Sequence, residues 1–221
     1  MLPGYNEARY EVRDAVLKVM RDLAETNKRT LEAIEAGDTS ALEAAKAPIM
    51  DVVERTEKID NDIVLIFAKY TPEAKDLREL VSYLKMTSSI NRIRANISNY
   101  MKNMESMLTG ADSEMLLLIR DSLSINRCTV HAFDQTLEML QCFDDNDMLL
   151  DLSARIEVEY AKTDDIYSML EKSIMQKMGS SIELVEEYFN LLKYIRKNLK
   201  IIDRLESISG RIIFARMGGK L

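Results

Sequence analysis

From Leu42 to Tyr70 the side chains of one face step by three and four residues without a miss: Leu42, Ala45, Ile49, Val52, Thr56, Ile59, Ile63, Ile66 and Tyr70. A strand would alternate at every second residue, so this spacing calls for a helix with one long buried seam. A second run, Leu116, Ile119, Leu123, Asn126, Val130, Phe133, Leu137 and Leu140, repeats the pattern with Asn126 in a core slot. Seams this regular belong to antiparallel bundles, in which each helix buries a stripe against its neighbours. Pro48 stands beside the first seam, and because the periodicity continues past it, it is expected to bend that helix rather than end it.

Glycine and proline are scarce, 7 and 3 in 221 residues, so the few breaks are legible. Gly37-Asp38, Thr71-Pro72, Gly110-Ala111, Asp144-Asp145 and Gly179-Ser180 divide the chain into six segments, each about 30 residues long. Asp38 to Ser40, Asp112 or Ser113, and Ser180 or Ser181 offer N-cap oxygens to the second, fourth and sixth segments. No segment alternates as a strand would. The expected fold is all-α, with six long helices.

The segments also repeat. A shift of 107 residues carries Leu42 to Leu149, Ile49 to Ile156, Thr56 to Thr163 and Ile63 to Leu170, and likewise Val12 to Ile119 and Val16 to Leu123. A shift of 108 carries Leu77 to Val185, Val81 to Phe189 and Leu84 to Leu192. Two tandem antiparallel three-helix bundles, residues 1–109 and 110–221, account for these shifts. A three-helix unit has a thin core, so Met101, Met104 and Met107 are expected to spill onto exposed faces and to favour a homodimer.

Several function classes are disfavoured by the residues present. The longest apolar run, Ile63 to Ala68, is far shorter than the roughly 20 residues that cross a bilayer. The N-terminus lacks a basic segment followed by an apolar one, and a cytoplasmic protein is expected. A net charge of −7 speaks against nucleic acid as a partner. Cys128 and Cys142 are about 21 Å apart along one helix and are read as reduced, partly buried thiols. A single histidine, His131, cannot furnish the imidazoles of a histidine-carboxylate di-iron site, and nothing pairs it with a nucleophile; it is read as a boundary residue. No Gly-rich phosphate loop or zinc spacing occurs, so the chain is not expected to be an enzyme and no cofactor is assigned. A carboxylate metal site would need acids at i and i+4, whereas Asp51, Glu54, Glu57, Asp60 and Asp62 are never four apart and are read as a solvated flank.

Three stretches carry a resemblance: Val53-Glu54-Arg55-Thr56-Glu57-Lys58-Ile59-Asp60, then Ala68-Lys69-Tyr70-Thr71-Pro72-Glu73-Ala74-Lys75-Asp76-Leu77-Arg78, then Ile90-Asn91-Arg92-Ile93. Pro72, Ala74, Asp76, Leu77, Arg78, Arg92, Ile93 and Asn99 match the helix turn and the following L-E-R-I-G/A-D-x-x-x-N segment of the PhoU family of phosphate-uptake regulators, which this chain resembles. The resemblance implies a cytoplasmic, often dimeric adaptor between a phosphate transporter subunit and a sensor histidine kinase. It also implies metal clusters held by acidic pairs and by the E-R-I-x-D segment. Here the chain departs: Asn91 and Ala95 stand in place of the Glu and Asp, and Thr56 and Tyr160 leave Asp60 and Asp164 without acidic partners at i−4. Asp203 falls at the position equivalent to Ala95, flanked by Leu199 and Ser207; in another register Ser207 takes the Asp position. The expectation is a family member with incomplete metal sites, in which Asp60, Asp164 and Asp203 are the remaining candidate ligands. The alternatives are a carboxylate-type metal-binding protein and a structural helical adaptor unconnected with phosphate.

Overall fold

The computed structural model describes residues 4–142, 144–180 and 184–219, and within them the chain is helical with no strand. The elements are α1 (Tyr5–Ala36), α2 (Thr39–Ala44), a 3-10 turn (Ala47–Ile49), α3 (Val52–Lys69), α4 (Ala74–Gly110), α5 (Ser113–Gln141), α6 (Asn146–Ser180) and α7 (Val185–Met217).

The helix ends follow local chemistry. Gly37 sits in the left-handed region at φ 67°, where a Cβ would be strained; its N–H donates to Ile34 and that of Asp38 to Ala33, which closes α1. Asp38, Asp112 and Asp145 accept from the N–H groups of Ala41, Met115 and Met148, capping α2, α5 and α6. Of the two cap residues expected for the last helix, Ser180 is the final residue of α6, and Ser181 lies outside the described residues.

Pro48 does more than bend its helix. The segment breaks into a six-residue α2, the 3-10 turn that contains Pro48, and α3. The seam survives because Ala45, Lys46 and Met50 stay in right-handed helical dihedrals, so Leu42, Ala45, Ile49 and Val52 all remain buried on one side. The Arg94 Nε–H reaches the Ile49 carbonyl at 3.4 Å, a contact for one of the acceptors freed by the break.

α1 packs with α3 and α4, and α5 with α6 and α7, giving the two antiparallel three-helix bundles. They lie side by side, joined by α1 against α5 and by α4 against α7, the most extensive pairing of all. This corrects the expectation of a thin core. Met101 and Met104 are fully buried and Met107 is partly so, because α4 has helix neighbours on both sides; Met50, Met169 and Met175 are the strongly exposed methionines. The 108-residue alignment also ran partly along outward faces, since Leu77 and Phe189 are exposed.

Polar side chains in the core are matched locally. Thr30, Ser122, Thr129 and Thr136 donate to carbonyls three or four residues back. Across helices, Tyr100 donates to Asn126 Oδ1 at 2.9 Å and Asn27 to Thr129 at 3.1 Å. Asn126 thus occupies a core slot with a phenol as its partner, although its amide nitrogen has none.

Candidate functional site: the helix faces of the two bundles and the ion cluster between them

On the first bundle, α3 and α4 bring together the positions where the metal-binding pattern departs. Thr56 is buried; its hydroxyl donates to the Val53 carbonyl at 2.8 Å and accepts from the Asn91 amide at 2.9 Å. Where an acidic pair would face an ion, two neutral side chains consume each other's hydrogen-bonding capacity. Asp60, one turn on, is half-buried with Oδ1 unpartnered, and burial raises its carboxyl above the ordinary range, opposed by a hydrogen bond from Thr87.

On the second bundle, Tyr160 and Asp164 of α6 meet Asp203 of α7. The Asp203 carboxylate is the main cause that raises the Tyr160 phenol, with burial and Asp164 adding to it. Burial in turn raises Asp203, helped by Asp164 and opposed by Arg204, Lys200 and the Tyr160 hydroxyl. Asp164 and Asp203 are therefore close enough to interact, whereas Asp60 lies on the other bundle, so the three candidate ligands do not converge. Among the described residues no group of three His, Cys, Asp or Glu side chains is placed to hold a metal ion. A hard cation needs several converging oxygens, and these residues do not fit the cluster that the resemblance implies.

His131 is largely exposed, with Nδ1 3.8 Å from Glu159. Cys128, one turn back on α5, is buried, and burial together with the neighbouring Glu159 carboxylate pushes its thiol up to about 12. Such a thiol is almost wholly protonated at neutral pH and a poor nucleophile.

Spacing in the sequence did not disclose a third constellation, at the end of the molecule where α1, α4 and α7 meet. Arg9 pairs with Asp76, and Arg216 Nη1 with Glu79 at 2.7 Å, the latter with both side chains under 10% exposed. Tyr5 donates to Asp76 at 3.0 Å and Tyr83 to Glu79 at 3.0 Å. Each carboxylate thus accepts a hydrogen bond from one guanidinium and one phenol, and Arg9 also lies 3.9 Å from Glu79. The pairs span 67 and 137 residues; the one hint was Asp76 in the Pro72-to-Arg78 stretch, whose partners no local spacing could supply.

Residues 16–104 match the family described as PhoU domain. No curated protein matches the chain in sequence. Among solved structures, it is similar to PhoU from Pseudomonas aeruginosa, at 18% identity and a TM-score of 0.84 over 97% of this chain and 100% of that one. The phosphate transport system regulatory protein PhoU from Streptococcus pneumoniae aligns at 17% identity and TM-score 0.68, over 98% and 99%. A PhoU-like protein from Shewanella oneidensis aligns at 12% and 0.60, over 91% and 94%. Residues 16–104 thus carry the sequence pattern of a PhoU domain, and over nearly its whole length the chain has the fold of the PhoU structures.

Proposed function

We propose that the chain regulates phosphate uptake without catalysing a reaction, as a cytoplasmic helical adaptor that links a phosphate transporter subunit to a sensor histidine kinase. The observation that carries this reading is the whole-length PhoU fold, shared with a protein described as regulating a phosphate transport system. No described helix is long and apolar enough to cross a membrane, so any attachment to a transporter would be peripheral. The outward faces carry apolar groups for protein contact: Val158, Met169 and Met175 on α6 and Phe189 on α7. Residues 1–109 and 110–221 are read as two copies of one unit, and the chain as a homodimer.

Deleting the gene and following phosphate uptake and alkaline phosphatase tests the reading. Deregulated uptake with phosphatase expressed in phosphate-replete medium is expected. Unchanged behaviour in both assays would leave a structural adaptor unconnected with phosphate. Sedimentation at tens of micromolar should give a species of twice the 25.3 kDa chain mass.

A further inference from the structure

Charge is unevenly spread over this chain. α4 and α7 hold 13 cations against 7 acids, so the rest of the chain carries −13 within a total of −7. Over residues 80–104, α4 has Lys85, Arg92, Arg94 and Lys102 and no acid; over residues 188–202, α7 has Lys193, Arg196, Lys197 and Lys200 and no acid. Arg78, Lys85 and Arg92 recur at intervals of two turns, and Lys193, Lys197, Lys200, Arg204 and Arg211 also keep to one stripe of their helix. α1 packs on α4, α5 on α7, and α1 on α5, which covers one side of the α4–α7 pair. The exposed Lys85, Arg92, Lys193 and Lys200 therefore share the opposite side. Because Arg216 near the end of α7 meets Glu79 near the start of α4, the helices run antiparallel and the two stripes lie alongside each other. Part of this charge is offset: Arg196 pairs with Glu171 at 3.4 Å, Lys200 and Arg204 stand near Asp203, and Arg94 turns to the Ile49 carbonyl. Lys85, Arg92, Lys102, Lys193 and Lys197 form no ion pair among the described residues.

We propose that this face binds an anionic lipid surface, with α4 and α7 lying flat against it. Interfaces between folded proteins are depleted of lysine, whereas lysines and arginines beside an anionic bilayer each gain from its surface potential. Four of the five unmatched cations are lysines, spread over two adjoining helices, which suits a broad anionic surface better than a partner that must pair with each charge. The acidic remainder of the chain does not prevent approach. A helix is about 10–12 Å across and the screening length at physiological ionic strength is about 8 Å, so acids behind the α4–α7 pair are screened from the bilayer. This inference stands on the charge of the face and does not depend on the regulatory reading.

Cosedimentation of the full chain with vesicles of phosphatidylglycerol and phosphatidylcholine in equal parts, compared with phosphatidylcholine alone, tests it. Binding to the anionic vesicles only is expected, and molar salt should abolish it. Lys85→Gln/Arg92→Gln/Lys193→Gln should weaken the binding at least tenfold. Lys18→Gln/Lys28→Gln/Arg120→Gln removes the same charge from exposed positions on α1 and α5 and should change it far less. If the first variant does not fold, Lys193→Gln alone should weaken binding severalfold. No binding to anionic vesicles at low salt, wild-type affinity in the face variant that folds, or equal weakening in both triple variants overturns the proposal. So does binding to native membranes that protease treatment removes while pure lipid vesicles stay unbound, the mark of an acidic protein partner instead.

Discussion

Carboxylates occur in two settings in this molecule. Where α1, α4 and α7 meet, Asp76 and Glu79 are buried, and each is matched by a guanidinium and a phenol. On the faces of α3 with α4 and of α6 with α7, Asp60 and Asp203 are half-buried and form no ion pair among the described residues, so burial raises both carboxyls. Burial alone therefore does not tell whether an acid supports the fold. A matched acid cannot lose its partner cheaply, whereas an unmatched one costs stability whenever it is ionised.

The matched set gives the largest expected effect. Glu79→Ala leaves Arg216 buried without its carboxylate and the Tyr83 hydroxyl without its acceptor, a loss of about 3–5 kcal/mol. At roughly 2–4 °C per kcal/mol for a chain of this size, the melting temperature should fall by about 6–20 °C. A fall of only a degree or two would mean that water replaces the carboxylate, and the contrast would collapse.

An uncharged pair provides an intermediate case. Tyr100→Phe strips Asn126 of its one described partner and should cost about 1–3 kcal/mol. Asn126→Leu, which a seam reading of the sequence alone expects to stabilise, should instead destabilise, because it removes the acceptor of the buried Tyr100 hydroxyl. Combining Tyr100→Phe with Asn126→Leu should recover most of the loss. A double variant as unstable as the sum of the singles would show that the pair is not coupled.

The unmatched acids should respond in the opposite direction and more weakly. A carboxyl raised in the folded state binds its proton more tightly there than in the unfolded chain. Its contribution to stability is thus lost as pH rises from the ordinary aspartate value, near 3.9, through the raised folded value. Asp60→Asn and Asp203→Asn should accordingly raise stability at pH 7, seen as a higher melting temperature, by less than about 1 kcal/mol since both sites are partly exposed, and the gain should vanish near pH 4. Destabilisation at pH 7 would assign these carboxylates a partner.

The smallest expected effect is none. Protein purified without chelator should carry no stoichiometric transition metal, and added chelator should leave the melting temperature unchanged, because a bound ion would stabilise by mass action. Near-stoichiometric metal surviving dialysis would break this side of the comparison and direct attention to Asp164 and Asp203.

The regular 3-and-4 spacing made the helices and most of their ends legible, because a seam and a capping carboxylate are local signals. The break around Pro48 was hidden, since a 3-10 turn in right-handed dihedrals preserves the seam. The buried Met101 and Met104 were misread for a different reason: which faces of a helix are covered depends on bundle-to-bundle packing, which one segment does not encode. Thr30, Thr129 and Thr136 lie in the core although no apolar seam names them, because their hydroxyls donate to carbonyls on their own helices. Of the candidate site, the neutral replacements at Thr56 and Asn91 were evident as departures from a pattern. The Arg9, Asp76, Glu79 and Arg216 cluster was not, since its members meet only through tertiary packing.

The pairing of α4 with α7 has a consequence for how the chain comes apart. Each is the last helix of its bundle, and their mutual contact is more extensive than any contact within either bundle. A polypeptide ending at Gly110 would therefore present the widest apolar surface of α4 to water, and such a fragment should aggregate or seek its missing complement rather than persist alone. The intact chain should melt in one cooperative transition, and two separately produced halves, mixed during refolding, should reassemble along this seam.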